Sequence, residues 1–361
     1  MRAAITIESF RPGPGGVEAA AFALAAELGR RALEPSVLCR DAVADPPPGV
    51  RVERLGGPTF WQPLRVLAFS RRAARASAGF DVVQAFSRTR HQDVYRAGGG
   101  SHAAYMERVY ARPALRRLSP RHAVLLAIEG AVFADPSQVV LCNSRFVADE
   151  IARRHGVPAA RLEVIYNGVD LERFHPRLRD AAALALRAEL GLDGPVALFA
   201  GSGFARKGLD RAIAGFARSG AKGNLLVAGS GYAAPFRAQA ESLGIGARVR
   251  FLGLRADLPA LCAAADLFVL PTRYDPFANA CLEAMAAGAP VATTLDNGAA
   301  ELIEPGASGF LCADDFAPAF RALEDPERLR EMGAAARRTA ERFPWGAHAD
   351  AVLALWGRLR R

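Results

Sequence analysis

Two carboxylates with seven residues between them, Asp275 and Glu283, flank the start of a segment rich in alanine that follows the apolar run Asp266 to Leu270. The apolar runs and their spacing predict a strand over 266–270, a helix over 277–287 and a strand over 289–294. The loop bearing Asp275 then lies at the carboxyl end of a parallel sheet, where such sheets bind ligands. At the helix start the amides of Phe277, Ala278 and Asn279 lack partners within the helix, and the helix dipole adds to them, so they form an anion site. A phosphate held there leaves Glu283 beside a sugar hydroxyl and Asp275 beside a second polar group.

A basic pair precedes these acids. In G-S-G-F-A-R-K-G, Gly201, Gly203 and Gly208 surround Arg206 and Lys207. Glycine-lined amides with two fixed cations suit a pyrophosphate, whose charge must be neutralised when it binds and again when it leaves. Lys207 is one of only two lysines in a chain that otherwise uses arginine, which points to a need for an ammonium there. Near the N-terminus a strand over 3–7 runs into G-P-G-G and a helix over 17–31, the opening of a doubly wound α/β unit. Gly15 and Gly16 either let the backbone approach a ligand closely or make a plain tight turn. His102 follows three glycines at a strand-to-helix turn. It either handles protons near neutral pH or is a histidine satisfied within the fold.

The D-x7-E spacing at 275–283, with Arg206 and Lys207 and the N-G-V-D-x-x-x-F segment at 167–174, resembles family 4 retaining glycosyltransferases. These enzymes have the GT-B fold and use nucleotide-activated sugars; their usual motif is E-x7-E, and Asp275 stands here in the first position. The resemblance covers nearly the whole chain, is strongest from Gly201 to Pro290, and is locally closest to lipopolysaccharide core glucosyltransferases. It implies an α/β fold of two Rossmann-like parallel-sheet domains facing a central cleft. Residues 1–170 would bind the acceptor, with the C-terminal helix 346–361 returning to them, and residues 171–345 would bind the nucleotide sugar.

The implied reaction transfers a sugar from a nucleotide diphosphate sugar to a lipopolysaccharide, glycolipid or other glycan acceptor with retention of configuration. UDP is the implied leaving group, with guanosine diphosphate open. No D-x-D metal motif occurs, and Arg206, Lys207 and the amides of Phe277, Ala278 and Asn279 would replace the metal, so no cofactor beyond the donor is implied. Gly15 and Gly16 would border the donor phosphate or the acceptor, and Gly203 the diphosphate. His102 would face the reacting sugar, Arg255 would accompany the turn that meets the nucleobase, and Asp275 and Glu283 would position the donor, Glu283 on the ribose. A sugar-nucleotide 2-epimerase of the same fold is the alternative; it needs an acid and base pair over the sugar, where the sequence offers only His102.

Bulk properties bound the rest. With 51% hydrophobic and 23% charged residues the chain is globular, and 361 residues suit two domains. Residues 1–170 hold 23 arginines and no lysine against 16 acidic residues, whereas 171–361 hold 23 basic against 21 acidic. The N-terminal half therefore meets something negative. No recognition-helix or RNP pattern supports nucleic acid, which leaves an anionic membrane face or a phosphorylated glycolipid. The basic segment 107–121, with Val109, Tyr110, Leu115 and Leu118, and the apolar stretch 122–134 suit either a helix pair on anionic lipid or a solvated basic helix. No apolar run approaches the roughly 20 residues of a membrane span, and no signal-peptide core is present. The expectation is a cytoplasmic protein, peripheral on the inner face of the membrane. Five widely spaced cysteines without a C-x-x-C pair read as core thiols, not a zinc site or a disulfide framework.

Overall fold

Mostly buried strands alternate with helices along much of the chain, and that alternation folds as two doubly wound α/β units. The computed structural model describes residues 1–13, 15–43 and 45–359, so Pro14 of the first glycine loop and residues 360 and 361 lie outside the described residues. One unit comprises residues 1–168 with 345–361, and the other residues 169–344.

In the first unit the chain runs β1 (Ala3–Phe10), α1 (Gly16–Arg30), β2 (Ser36–Ala42), β3 (Arg51–Arg54), α2 (Gln62–Ala76), β4 (Val82–Ala85), β5 (Val94–Arg96), α3 (His102–Val109), α4 (Pro113–Arg117), α5 (Pro120–Ala134), β6 (Val139–Cys142), α6 (Arg145–His155) and β7 (Leu162–Val164). The second unit follows with α7 (Ala182–Glu189), β8 (Val196–Ala200), α8 (Leu209–Ser219), β9 (Asn224–Ala228), α9 (Ala234–Ser242), β10 (Val249–Gly253), α10 (Leu258–Ala264), β11 (Leu267–Leu270), α11 (Asn279–Ala286), β12 (Val291–Thr293), β13 (Gly309–Leu311), α12 (Ala317–Arg321) and α13 (Pro326–Ala340). The last helix, α14 (Trp345–Leu359), belongs to the first unit.

Every described strand pairing is parallel. The first sheet has the order β3-β2-β1-β4-β5-β6-β7 and the second β10-β9-β8-β11-β12-β13. Strand order reverses between β1 and β4 and again between β8 and β11. At such switch points the loops leaving the carboxyl ends of neighbouring strands diverge and open a crevice.

Helix α14 is anchored to the first sheet through Trp356, which is 1% exposed and donates its indole N–H to Gln84 Oε1 at 2.8 Å. Gly168 permits the return of the chain, because a Cβ there would lie 2.7 Å from Trp345. Cys39, Cys142, Cys262 and Cys281 are buried free thiols, and Cys312 is half-buried. Among the described residues no helix is long and apolar enough to cross a membrane.

One expectation is corrected. The apolar stretch 122–134 does not offer its apolar face to lipid, because as α5 it turns Leu125, Ile128, Val132 and Phe133 into the core against Tyr95, Val140 and Ile151. Its lone acid explains the choice: Glu129, 1% exposed, accepts from Ser101 Oγ at 3.1 Å, from Ala103 N at 3.3 Å and from His102 N, and so satisfies the start of α3. What remains exposed is α4 and its flank, with Leu115 and Leu118 among Arg112, Arg116 and Arg117. Replacing Glu129 by leucine leaves those donors buried without an acceptor. The substitution is expected to destabilise the first unit by about 2–4 kcal/mol in urea unfolding; a change below about 0.5 kcal/mol would refute this role.

Candidate active site

The second switch point is built from the loops after β8 and β11. The first loop folds on itself through Lys207 N donating to Gly203 O at 3.1 Å, and Gly203 N ties it to the loop after β9 by donating to Ser230 O at 2.8 Å. It then closes onto the loop after β11 at Gly208, whose φ is +75° and whose Cβ, if it had one, would lie 1.9 Å from Pro271 O. Only glycine permits both. Arg273 locks the two loops together. Its guanidinium forks onto Asp210 at 2.9 and 2.6 Å and reaches Ala205 O at 2.6 Å, while its backbone N–H donates to Arg206 O at 2.9 Å.

This framework brings three of the expected residues together. Lys207 Nζ pairs with Asp275 Oδ2, and Arg206 Nη1 lies 3.3 Å from the same oxygen and 3.1 Å from Tyr274 O. Asp275 is 7% exposed and Lys207 9%. Burial by itself would raise the Asp275 pKa, but Lys207 and Arg206 outweigh it and hold the carboxyl below its ordinary range. The triad carries one formal positive charge, fixed in place at a sheet edge. Asp275 is held from its backbone as well, N–H donating to Asp296 O and carbonyl accepting from Gly298 N, both at 2.9 Å.

The Phe277 and Ala278 amides, expected to be spare, are already engaged. Phe277 N donates to Asp275 Oδ1 at 3.2 Å and Ala278 N to Asn297 Oδ1 at 3.1 Å. The helix starts at Asn279 with Ala278 as its N-cap residue, and Asn297 from the next loop holds the N–H of that residue. The same oxygen accepts from Ala299 N at 3.1 Å, and Asn297 Nδ2 donates to Thr293 Oγ1 at 3.0 Å. Asn297, Arg273 and Asp210 were all missed as site residues. Only Asn297 carried a local signal, the Asn-Gly pair that marks a turn or cap.

Glu283 and Arg255 stand apart from the triad. Glu283, half-buried on α11, is pushed up to about 7 by burial, with Arg173 opposing the shift. The Arg255 guanidinium forks onto Asp257 at 2.8 and 2.6 Å, and that partner raises its pKa. Gly203 has φ +77° and open space beside it. Among the described residues no group of three or more His, Cys, Asp or Glu side chains converges as a metal site.

The remaining expected residues belong to the first unit. His102 opens α3 behind the N-cap Ser101, is 5% exposed, and has Nε2 2.9 Å from His122 Nδ1. Burial, then Arg88, His122 and Arg121, pull its pKa down to about 3. The imidazole is thus neutral near pH 7 and serves as a hydrogen-bonding group; the expectation of a base titrating near neutrality is corrected. Gly15 precedes α1 with φ −79°, so no left-handed backbone requires glycine there, and Gly16 opens the helix.

The shift at Glu283 has a definite sign. An acid whose folded pKa is raised holds its proton more tightly in the native state, so stability is lost as pH rises from about 4.5 through about 7. Between pH 5 and pH 8 the wild type is expected to lose about 2 kcal/mol more than Glu283→Gln in urea unfolding. Parallel pH profiles for the two proteins would refute the assignment.

The family described as Glycosyl transferases group 1 matches residues 185–339, and Glycosyltransferase Family 4 matches residues 14–173. A D-inositol 3-phosphate glycosyltransferase of Rhodococcus opacus (strain B4) is 34% identical over 245 residues, which span 62% of this chain and 54% of that protein. The protein of that name from Mycobacterium tuberculosis (strain ATCC 25177 / H37Ra) is 30% identical over 385 aligned positions, covering 95% of this chain and 79% of that one. Among solved structures, WaaG, a glycosyltransferase involved in lipopolysaccharide biosynthesis, aligns with a TM-score of 0.83 at 23% identity over 97% of this chain and 98% of that one. Anabaena Alr3699/HepE in complex with UDP-glucose aligns with a TM-score of 0.78 at 22% identity over 99% and 100%. With two parallel-stranded α/β sheets and relatives spanning nearly its whole length, the chain belongs to the family 4 glycosyltransferases of GT-B fold.

Proposed function

We propose that this protein transfers a sugar from a uridine diphosphate sugar to a glycan or lipid-linked acceptor with retention of anomeric configuration. The observation that carries the reading is the convergence of Arg206 and Lys207 on one buried carboxylate, Asp275, at the switch point of the second sheet. The two cations take the diphosphate. Their attraction grows as the bond from C1 to the phosphate oxygen breaks and that oxygen gains charge, so they favour the transition state over the bound donor. Asp275 acts through them: it is a positioning residue that keeps the ammonium and guanidinium aimed. Because the Phe277 and Ala278 amides are engaged within the protein, neutralisation rests on the side chains.

In this reading the acceptor oxygen attacks C1 from the face that the phosphate leaves, and the acceptor proton passes to the departing phosphate oxygen. The products are the retained glycoside and UDP. The fixed cations do what a metal would otherwise do for the leaving group. Glu283 takes the ribose hydroxyls, and with a pKa about 7 it both donates and accepts near neutral pH. His102, neutral and stacked on His122 and Tyr105, gives a hydrogen bond to a sugar hydroxyl. The backbone at Gly253 to Arg255 meets the base, and the start of α1 at Gly15 and Gly16 meets a phosphate of donor or acceptor. The name shared by the curated relatives and the UDP-glucose bound to HepE support a UDP-sugar donor and a polar, phosphorylated acceptor.

Contact with an anionic bilayer is part of the proposal. Leu115 and Leu118 are 58% and 80% exposed on a segment bearing Arg112, Arg116 and Arg117, a pattern suited to shallow insertion under charge attraction.

Calorimetry against UDP, GDP, ADP and TDP in EDTA is expected to give binding to UDP that weakens in Glu283→Ala. Binding to none of the four would sink the donor assignment. Lys207→Ala should lower turnover by on the order of 10²-fold, and unchanged turnover would remove the leaving-group role. Sedimentation with phosphatidylglycerol vesicles, but not phosphatidylcholine vesicles, is expected for the wild type and should be lost in the Leu115→Ser, Leu118→Ser double variant. Equal pelleting of both proteins would reject this contact surface.

A further inference from the structure

The first sheet has its own switch point between β1 and β4, and the loop after β4 is tied down at nearly every residue. Ser87 Oγ accepts from Glu8 N at 2.8 Å, and Thr89 Oγ1 donates to Gln92 Oε1 at 2.8 Å. Arg90 N donates to Ser70 Oγ at 3.1 Å, and Arg90 O accepts from Gln138 Nε2 at 2.8 Å. Arg88 is the exception. Among the described residues its guanidinium has no hydrogen bond or ion pair, and its Nε is shut off from solvent without an acceptor. Nη2 lies 3.9 Å from the place a Cβ on Gly99 would occupy, so the group lies along the Gly98 to Gly100 turn that leads into α3.

A half-buried cation without a counter-ion is costly, and two other half-buried arginines of this unit avoid the cost with acids. Arg65 has Glu8 and Arg108 has Glu150. The acid beside this region does not help, because the Glu129 oxygens are taken by Ser101, His102 and Ala103, with His155 Nε2 3.5 Å away. The local potential is positive enough that Arg88, with His122 and Arg121, disfavours a proton on His102.

We propose that Arg88 binds an oxyanion group of the acceptor, a phosphomonoester or a carboxylate, against the Gly98 to Gly100 turn at the carboxyl edge of the first sheet. This assignment rests on the glycosyltransferase reading above and adds to it the residue that selects a charged acceptor. A guanidinium presents parallel N–H groups that match either oxyanion in a two-pronged contact. The pinned loop holds the fork in place before the ligand arrives, so little ordering is lost on binding. Glycines at 98–100 leave the backbone bare where the ligand lies.

Crystals of the wild type and of Arg88→Gln are soaked in tungstate, an anomalous scatterer that mimics phosphate, so that this position is separated in space from Arg206 and Lys207. A peak within hydrogen-bonding distance of Arg88, absent in Arg88→Gln, is expected; no peak there in the wild type overturns the proposal. In parallel, glucose 6-phosphate, glucuronate and glucose are titrated by calorimetry in the presence of UDP. The charged sugars should weaken by on the order of 10-fold to 100-fold in Arg88→Gln, with part of the loss restored in Arg88→Lys and with Arg90→Gln behaving as wild type. Stronger binding of glucose 6-phosphate assigns a phosphate, and stronger binding of glucuronate a carboxylate. Equal affinity of wild type and Arg88→Gln for both charged sugars also overturns it. Failure of UDP to bind the wild type would strike the donor reading alone, because the tungstate result does not depend on it.

Discussion

The ion triad of Lys207, Arg206 and Asp275 sets the terms for the second unit. A buried carboxylate is tolerated only with partners, and removing one partner of a buried pair typically costs about 3–5 kcal/mol. The partners come from a loop 68 residues away in sequence, so the fold must bring two loops together closely and repeatably. Adjacent placement of β8 and β11 does the first part. The close approach of Gly208 to Pro271 and the Arg273 fork onto Asp210 do the rest. Each of these features makes sense as a support for two cations and one acid held at a fixed separation.

Two helix starts in this protein are satisfied from distant parts of the same unit. Asn297 caps α11 from the following loop, and Glu129 reaches from the middle of α5 to the start of α3. An internally capped helix start has fewer amides to offer a ligand, so charge recognition passes to side chains. In the second unit these are Arg206 and Lys207, and in the loop after β4 Arg88 is a guanidinium without a hydrogen-bond or ion-pair partner among the described residues. The division is physical: amides committed to buried acceptors stabilise the loops, and the stabilised loops hold the cations.

What was legible in the sequence was local. The alternation of strands and helices, the glycines around Arg206 and Lys207 and the placing of Asp275 on a loop after a strand all depend on residues a few positions apart, and they stand within two or three residues of where the pattern puts them. What was not legible depended on distant partners. Nothing near Phe277 announces that Asn297 will take the amide next to it, and nothing near His102 announces His122 and Arg88. The stretch 122–134 is apolar on most of its circumference, and hydrophobicity without a polar face cannot separate a helix lying on lipid from one buried in a core. Its single acid was the clue: a carboxylate inside an apolar helix needs donors, and donors in that number are found in a protein interior near a helix start.

The near absence of lysine sharpens the meaning of Lys207. Of the two lysines, Lys222 is exposed and Lys207 is buried. The stem of Lys207 runs along Gly201, where an added Cβ would come within 3.4 Å of its Cγ and Cε. The ammonium then meets Asp275 Oδ2 at the end of that narrow track. A guanidinium is planar, wider and longer, and its neighbour Arg206 already occupies the approach to the same oxygen and to Tyr274 O. A second fork would compete for those acceptors, whereas a compact charge fits beside the first and remains a point source for a second anion. The chain thus departs from arginine where space, burial and a shared carboxylate together leave room for only one guanidinium.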